Sequence, residues 1–224
     1  YDQPVIVLDN DLFIAPALVT AGWVGGGFKS AFSLGDAVMA VRPEIVSEYA
    51  AHMQLYAFTN YFLGDLGGLI ERLPKPLLHL LQAPLNNLTL IFVYLNSADS
   101  IQAKAVVERG EGVGRVRFST QPNPASPVAL KALLKLLKKA RGDVGFYPFG
   151  PLIKNTPLGF SGHLAGVLPM RTSPGPLETD QQGLLYGCRQ VYVADASVFP
   201  NLPAQNSTFT VMANAHRIAS ELHC

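Results

Sequence analysis

The last third of the chain most restricts the class of fold that this sequence can adopt. Residues 190–200 form a strand-like run with Asp195 near its end, residues 201–206 form a short loop, and residues 207–222 carry a helical pattern. A buried strand that leads through a turn into a helix is typical of α/β proteins, in which ligands bind beyond the carboxyl ends of the strands. The sequence therefore predicts a mixed α/β fold with a ligand site where this strand ends.

Asn206 lies at or just before the start of the last predicted helix. Asparagine is favoured at this position because its side chain can cap the free backbone N–H groups of the first turn. A helix N-terminus also carries a partial positive charge of about half an elementary charge. We therefore expect Asn206 to cap the helix, and the helix terminus to stabilise an anionic group of a ligand or cofactor.

Composition excludes several classes of protein. Of the 224 residues, 49% are hydrophobic and 15% are charged, and the formal net charge is +1. These values argue against a disordered chain and against a nucleic-acid partner. No apolar run reaches the roughly 20 residues that a membrane-spanning helix requires. The two cysteines make no disulfide framework, and no Cys/His cluster with zinc-ligand spacing is present. We expect a protein with a sizeable core, no membrane span and no metal site.

The first third of the chain is predicted to be mostly helical after an initial strand at residues 4–8. Residues 14–21 form a short apolar pattern in which Pro16 fits the first turn of a helix. Residues 43–82 are mostly helical in pattern, and spacings of three and four residues place His52 on one stripe of that helix. We interpret His52 as a core-edge or surface residue.

The middle of the chain is predicted to form strands and one clear helix. Residues 88–95 are rich in β-forming side chains, and residues 103–108 and 114–119 alternate in steps of two around a glycine-containing loop. This alternation is typical of a β-hairpin. Residues 126–141 form an amphipathic helix with Ser126 as its N-cap.

A set of motifs in the C-terminal region resembles the signature of the glucose–methanol–choline (GMC) oxidoreductases, which are flavoenzymes. In chain order, the motifs are His163-Leu-Ala-Gly166, Met170, Thr179-Asp180, Val191-Tyr-Val-Ala-Asp-Ala-Ser-Val-Phe-Pro200, Asn206 and Thr210-Val-Met-Ala213. Their order, spacing and secondary-structure context all agree with the family. A weaker resemblance covers residues 5–22.

The resemblance implies a fold and a division into domains. The chain would contain the C-terminal part of an FAD-binding Rossmann-like domain together with an antiparallel-sheet substrate domain. Residues 1–40 would be a partial FAD-domain segment, residues 41–154 the substrate-binding region, and residues 155–224 the C-terminal return to the FAD-binding domain. An N-terminal FAD-binding segment is then expected upstream of this sequence.

The resemblance also implies roles for six residues. His163 matches the active-site histidine that takes the proton of the substrate hydroxyl, and Asn206 matches the second active-site position, which hydrogen-bonds the substrate oxygen. Four further residues match positions that approach FAD: Asp195, Ala196, Thr210 and Val211. The chemistry is reasonable, because a histidine with a pKa near 6.5 suits proton removal near neutrality and an amide can donate to a developing alkoxide.

These assignments predict FAD-dependent oxidation of a CH–OH group, with His-assisted proton removal and hydride transfer to flavin N5. The Leu-rich stretch at residues 66–95 favours an apolar or bulky small-molecule alcohol as substrate. Two alternatives stay open. The chain could be a non-catalytic remnant that keeps the fold without the cofactor, or a small-molecule or lipid binder that uses an apolar cavity.

Overall fold

The fold is described from a computed structural model. The described residues are 4–19, 35, 37–57, 74–77, 87–108 and 115–222. Within them the strands are β1 (Val5–Val7), β2 (Leu12–Val19), β3 (Ala37–Val41), β4 (Ala51–Ala57), β5 (Leu88–Tyr94), β6 (Gln102–Glu108), β7 (Arg115–Gln121), β8 (Phe146–Pro148) and β9 (Lys154–Asn155). The helices are α1 (Ala125–Val144) and α2 (Thr208–Glu221), with short 3₁₀ helices at Gly150–Leu152 and Ala196–Val198. The predicted mixed α and β class is confirmed.

The strands form two antiparallel sheets. The larger sheet has the order β3-β4-β5-β2-β8, and β9 also pairs with β2. The smaller sheet has the order β1-β6-β7. β2 and β3 therefore share a sheet with β4 and β5, although β2 lies in the predicted FAD-domain segment 1–40. The domain boundaries at residues 40 and 154 stay a prediction.

The two faces of the larger sheet carry different side chains. One face packs against α1 and forms an apolar core, in which Met53 and Phe146 of the sheet cluster with Leu133 of the helix. Side chains alternate between the faces of a strand, and directly paired residues share a face. The opposite face of β4 and β5 therefore carries mainly polar and aromatic side chains, namely His52, Gln54, Tyr56, Phe92 and Tyr94, together with Leu90. This second face is the one on which the candidate site is built.

The segment between β1 and β2 joins the two sheets through three consecutive buried polar residues, Asp9, Asn10 and Asp11. The Asp11 carboxylate accepts hydrogen bonds from the Ser126 hydroxyl in α1 and from the Ile101 backbone N–H at 3.1 Å. Burial raises the pKa of Asp11, and these two hydrogen bonds oppose that rise. Through these hydrogen bonds, the buried Asp11 carboxyl group connects the segment between β1 and β2 to α1 and to the residue before β6.

The prediction of a helix at residues 14–21 is wrong, because this stretch belongs to strand β2. β2 pairs with β5 from Leu12 to Leu18 and with β8 on its other side. Pro16 lies between the residues of β2 that pair with β9 and those that pair with β8, so its missing N–H interrupts neither ladder, and its carbonyl accepts a hydrogen bond from the Phe149 N–H at 2.8 Å. A short apolar run fits a helix and a buried strand equally well, and pairing along the whole run favours the strand.

The helical pattern predicted for residues 43–82 is also wrong where the structure describes it, apart from residues 75–77. Residues 43–49 form turns and bends, and residues 51–57 form β4. The sequence of β4 alternates in steps of two, with Ala51, Met53 and Leu55 on one face and His52, Gln54 and Tyr56 on the other. His52 is therefore a buried strand residue rather than a core-edge or surface residue of a helix. The parts of this prediction at residues 58–73 and 78–82 lie outside the described residues.

The predicted strand at residues 88–95 and both strands of the predicted hairpin are confirmed as β5, β6 and β7. The predicted helices are confirmed as α1 and α2. Ser126, however, is not the N-cap of α1: Pro124 occupies that position, and the Ser126 hydroxyl donates to Asp11 instead. The C-cap of α1 is Gly145, whose φ of 70° suits a residue without a Cβ. No helix among the described residues combines the length and apolarity needed to cross a membrane.

The buried strand predicted at residues 190–200 is wrong as a regular element. The structure has an isolated bridge between Leu184 and Tyr192, and a 3₁₀ helix at Ala196–Val198. Val191 is 49% exposed, so the start of this stretch is not buried. Its β-forming composition has no partner strand among the described residues, and a strand needs one to form.

Candidate active site

His163 lies in a loop, residues 159–166, that is held in place by the end of β1. Leu8 and Ala165 exchange both backbone hydrogen bonds, at 2.9 and 3.1 Å. The Asp9 carboxylate accepts hydrogen bonds from the Gly159 N–H and from the Ser161 hydroxyl. The Ser161 oxygen in turn accepts from the backbone N–H of His163 at 2.9 Å. The backbone position of His163 is therefore fixed from Asp9.

The end of this loop depends on Gly166, and Gly166→Ala is expected to destabilise the protein more than Gly187→Ala. Both glycines have a φ of 75°, so both alanines carry the same left-handed strain of about 1–2 kcal/mol. A Cβ at Gly166 would also lie 2.6 Å from the Leu8 side chain, whereas nothing lies within 4 Å of one at Gly187. We expect a further loss of about 1–3 kcal/mol at Gly166, measured by chemical denaturation. Equal losses would contradict the packing of this loop against β1.

The hydrogen bonds of Asn10 determine which nitrogen of His163 carries the proton. Asn10 Nδ2 donates to the Leu95 carbonyl at 2.7 Å, and a carbonyl can only accept. Asn10 Oδ1 therefore faces His163 Nδ1, at 3.1 Å. Since an amide oxygen is only an acceptor, Nδ1 must be the protonated nitrogen. His163 Nε2 is left with a free lone pair, the form that can accept a proton.

The surroundings of His163 favour its neutral form. Burial lowers the pKa of His163, and the Asp9 carboxylate opposes this only in part. The imidazole stacks on the ring of Tyr94, with centroids 5.3 Å apart and planes 29° from parallel. Burial also raises the pKa of Tyr94 to about 12, so this phenol stays uncharged at neutral pH. The result is a neutral imidazole held against a neutral aromatic ring.

Asn206 is positioned by Gln54 rather than by the helix that follows it. Ser207 occupies the N-cap position of α2 and makes no side-chain capping bond. Asn206 Oδ1 instead accepts a hydrogen bond from Gln54 Nε2 at 3.1 Å. The prediction that Asn206 caps the helix is therefore wrong. Asn206 Nδ2 makes no hydrogen bond to any described residue, so it remains a donor.

Gln54 belongs to a row of three side chains on β4, spaced two residues apart. The Tyr56 hydroxyl donates to Gln54 Oε1 at 2.5 Å. Gln54 Nε2 contacts His52 Nε2 at 3.2 Å as well as Asn206. Burial lowers the pKa of His52, and the nearby His163 lowers it further. Sequence reasoning missed His52 and Gln54 because their stretch was interpreted as a helix, although the two-residue spacing was visible.

The two predicted active-site residues thus lie on the same face of the larger sheet. Asn206 contacts Gln54 of β4, and His163 stacks on Tyr94 of β5, which pairs directly with His52. The rings of His52 and Tyr94 have centroids 6.3 Å apart. The two sides of the site are thus linked through Tyr94, His52 and Gln54, and the aliphatic Leu12, Ile14 and Ala204 pack in one cluster with Tyr94 and Phe92.

The four predicted FAD-contacting residues lie close to the His163 loop or at the start of α2. Asp195 is exposed and uses one carboxylate oxygen to cap the 3₁₀ helix through the Ser197 N–H at 2.9 Å. Ala196 accepts a hydrogen bond from the Gly166 N–H at 3.2 Å, which joins this turn to the His163 loop. Thr210 and Val211 lie in the first turns of α2, where Thr210 is exposed and Val211 is partly buried. Their contacts with FAD stay a prediction.

Residues 115–215 match the family model of the GMC oxidoreductases, a range that includes all six predicted site residues. The search of curated proteins found no match. Among solved structures, the chain is similar to pyridoxine 4-oxidase from Mesorbium loti, with 15% sequence identity and a TM-score of 0.47. That similarity covers 99% of this chain and 42% of the oxidase, so the chain spans less than half of the oxidase's length. Residues 115–215 of the chain are therefore similar to the C-terminal domain of the GMC oxidoreductases.

Proposed function

We propose that the chain is the C-terminal part of an FAD-dependent oxidoreductase that oxidises a CH–OH group. The observation that carries this proposal is the complementary pair on one face of the sheet. His163 Nε2 is an acceptor, because Nδ1 holds the proton for Asn10. Asn206 Nδ2 is a donor, because its Oδ1 is bound to Gln54. An alcohol oxygen needs both, since its proton must leave and the oxygen left behind must be stabilised.

In this proposal, His163 removes the hydroxyl proton. Its lowered pKa keeps it unprotonated at neutral pH, and its Nδ1–H bond to Asn10 holds the ring in the required tautomer. The imidazole becomes cationic when it accepts the proton of the substrate, and the Asp9 carboxylate favours that positive charge. The site therefore provides a base that is neutral before the reaction and whose protonated form is stabilised by the Asp9 carboxylate.

Asn206 stabilises the substrate oxygen in the same proposal. An amide N–H can donate to a developing alkoxide but cannot compete for its proton, so its role differs from that of the histidine. Gln54 holds the other end of the amide, which limits its rotation. A donor that is fixed before the reaction gains strength as negative charge develops on the oxygen.

The residues at the start of α2 suit an anionic cofactor group. The first-turn N–H groups of a helix, here including that of Thr210, have no acceptor within the helix. Asp195 Oδ2 accepts no hydrogen bond from a described residue, so it remains available to a hydroxyl donor. We propose that Asp195, Ala196, Thr210 and Val211 hold FAD together with an upstream segment. FAD, when bound, supplies the acceptor for the hydride.

The proposed substrate is a small-molecule alcohol with an apolar or aromatic body. The Leu-rich stretch that suggested this lies largely outside the described residues. Within them, Phe92 and Tyr56 line the same face as the site, with ring centroids 4.8 Å apart. Aromatic rings on this face would pack against a substrate body of similar character.

The complete gene product is expected to purify with bound FAD and to lose its visible flavin absorbance when a suitable alcohol is added without oxygen. A panel of aromatic and aliphatic primary alcohols would serve as probes, with the corresponding carboxylic acids as controls that cannot donate hydride. A complete gene product that holds no flavin would favour a non-catalytic remnant or a simple binding protein. Bound flavin that no alcohol of the panel reduces would contradict the proposed substrate class.

A further inference from the structure

We propose that Gln54 is a positioning residue, which sets the direction of the Asn206 amide and the position of the proton on His52. Gln54 is 6% exposed and comes from β4, whereas Asn206 precedes α2. The two side chains meet across 152 positions in the sequence. The inference rests on the proposed function for its kinetic consequence, but its proton placement can be tested without catalysis.

In the structure, the carbonyl oxygen of the Gln54 side chain faces Tyr56. The Tyr56 hydroxyl donates to Gln54 Oε1 at 2.5 Å, so Oε1 is occupied as an acceptor. The Gln54 NH₂ group is then turned toward Asn206 and His52, at 3.1 and 3.2 Å. One N–H of Gln54 then donates to Asn206 Oδ1 and the other to His52 Nε2. In this arrangement both polar atoms of the buried Gln54 amide have hydrogen-bond partners.

The first consequence concerns Asn206. Because Gln54 can only donate through Nε2, it holds Asn206 Oδ1 and leaves Asn206 Nδ2 as the free group. An acceptor at position 54 would reverse this choice, since it would bind Nδ2 and leave Oδ1 free. An oxygen in that place would repel a developing alkoxide rather than stabilise it. Gln54 therefore decides whether position 206 helps the reaction or opposes it.

The second consequence concerns His52. Its Nε2 accepts from Gln54, so a neutral His52 must carry its proton on Nδ1. Nδ1 is buried and has no hydrogen-bond partner among the described residues. The neutral form agrees with the lowered pKa of His52, which arises from burial first and from His163 second. A positive charge at His52 would oppose the protonation of His163.

Proton placement can be measured by long-range ¹H–¹⁵N NMR on the complete gene product with ¹⁵N-labelled histidine, with signals assigned by His52→Gln. We expect His52 to be protonated on Nδ1 only at neutral pH. In Gln54→Glu, a carboxylate beside Nε2 should make both nitrogens protonated at the same pH. Gln182→Glu adds the same charge at an exposed position and should leave the His52 signals unchanged. A wild-type His52 protonated on Nε2 would overturn the proposal, whatever the protein catalyses.

The kinetic effect can be separated from a general loss of structure by a double-mutant cycle. Gln54→Met keeps the side-chain length but removes the donor, and should slow alcohol-dependent flavin reduction about 10-fold. In an Asn206→Ala background the same substitution should have little further effect, because there is no amide left to orient. An equal loss in both backgrounds would show that Gln54 acts structurally and would overturn its role. If the wild type shows no such reduction, the proposed function fails, while the NMR result still decides the role of Gln54.

Discussion

Replacing His163 by Gln is expected to slow alcohol-dependent flavin reduction in the complete gene product by about 10²–10⁴-fold. Glutamine keeps a polar side chain in the loop but has no nitrogen with a basic lone pair. The substrate hydroxyl would then have to lose its proton to water. Asp9 and Asn10 would remain, but position 163 would no longer carry a nitrogen that can accept the proton. The measurement is anaerobic stopped-flow absorbance of the flavin after mixing with the alcohol.

The matched control is His216→Gln, because His216 lies on α2 and is exposed. This variant should reduce its flavin at the wild-type rate. A His163→Gln variant that also reacts at the wild-type rate would remove His163 from the mechanism.

The pH dependence of the same reaction tests the role of His163 independently. In the proposed function the neutral imidazole of His163 is the active form, and burial lowers the pKa of His163 below its usual value of 6.5. The wild-type rate should therefore be level at neutral pH and should fall only as the pH drops through that lowered pKa. In His163→Gln this acidic limb should disappear.

Phe146→Ala is expected to lower the free energy of unfolding by about 3–5 kcal/mol. Phe146 begins β8 and pairs with Val19, and its side chain is fully buried in the core shared with Leu133 and Leu137 of α1. Truncating it removes apolar contacts and leaves a cavity between the sheet and the helix, which tight packing cannot fill without strain. The measurement is chemical denaturation followed by far-UV circular dichroism.

Phe118→Ala provides a matched control for this core prediction. Phe118 lies on β7 and is 64% exposed, so the same truncation there creates no cavity. Its effect should stay within about 0.5 kcal/mol of zero. A loss at Phe118 as large as that at Phe146 would contradict the assignment of the core.

The elements that sequence predicted correctly carry either a clear periodicity or, as in the central strand β5, a composition rich in β-forming side chains. The hairpin of β6 and β7 alternates clearly, and α1 and α2 carry helical spacing with polar residues on the outer side. β2 was predicted as a helix because its short apolar run fits both elements, and β4 because its stretch also carries spacings of three and four residues. Pairing between distant strands decides such segments, and a local pattern does not contain that information.

The candidate site was predictable in part for a similar reason. His163 and Asn206 follow from the family resemblance, and the structure brings both to one face of the sheet. Gln54 could not be connected to Asn206 from sequence, because their contact spans 152 positions and depends on β4 being a strand. The tautomer of His163 likewise depends on Asn10, which lies 153 positions away.

The polar segment between β1 and β2 connects the protonation of His163 to the arrangement of the two sheets. Asn10 reaches the Leu95 carbonyl at the end of β5 while Asp9, beside it, holds the His163 loop. A relative displacement of the two sheets would lengthen the hydrogen bonds that Asn10 makes to Leu95 and to His163. The proton on Nδ1 of His163 would then no longer be held there, and the imidazole could change its tautomer. If His163 acts as the proposed base, its proton affinity at Nε2 therefore depends on how the two sheets are aligned, and a substitution far from the ring that loosens this alignment would change it.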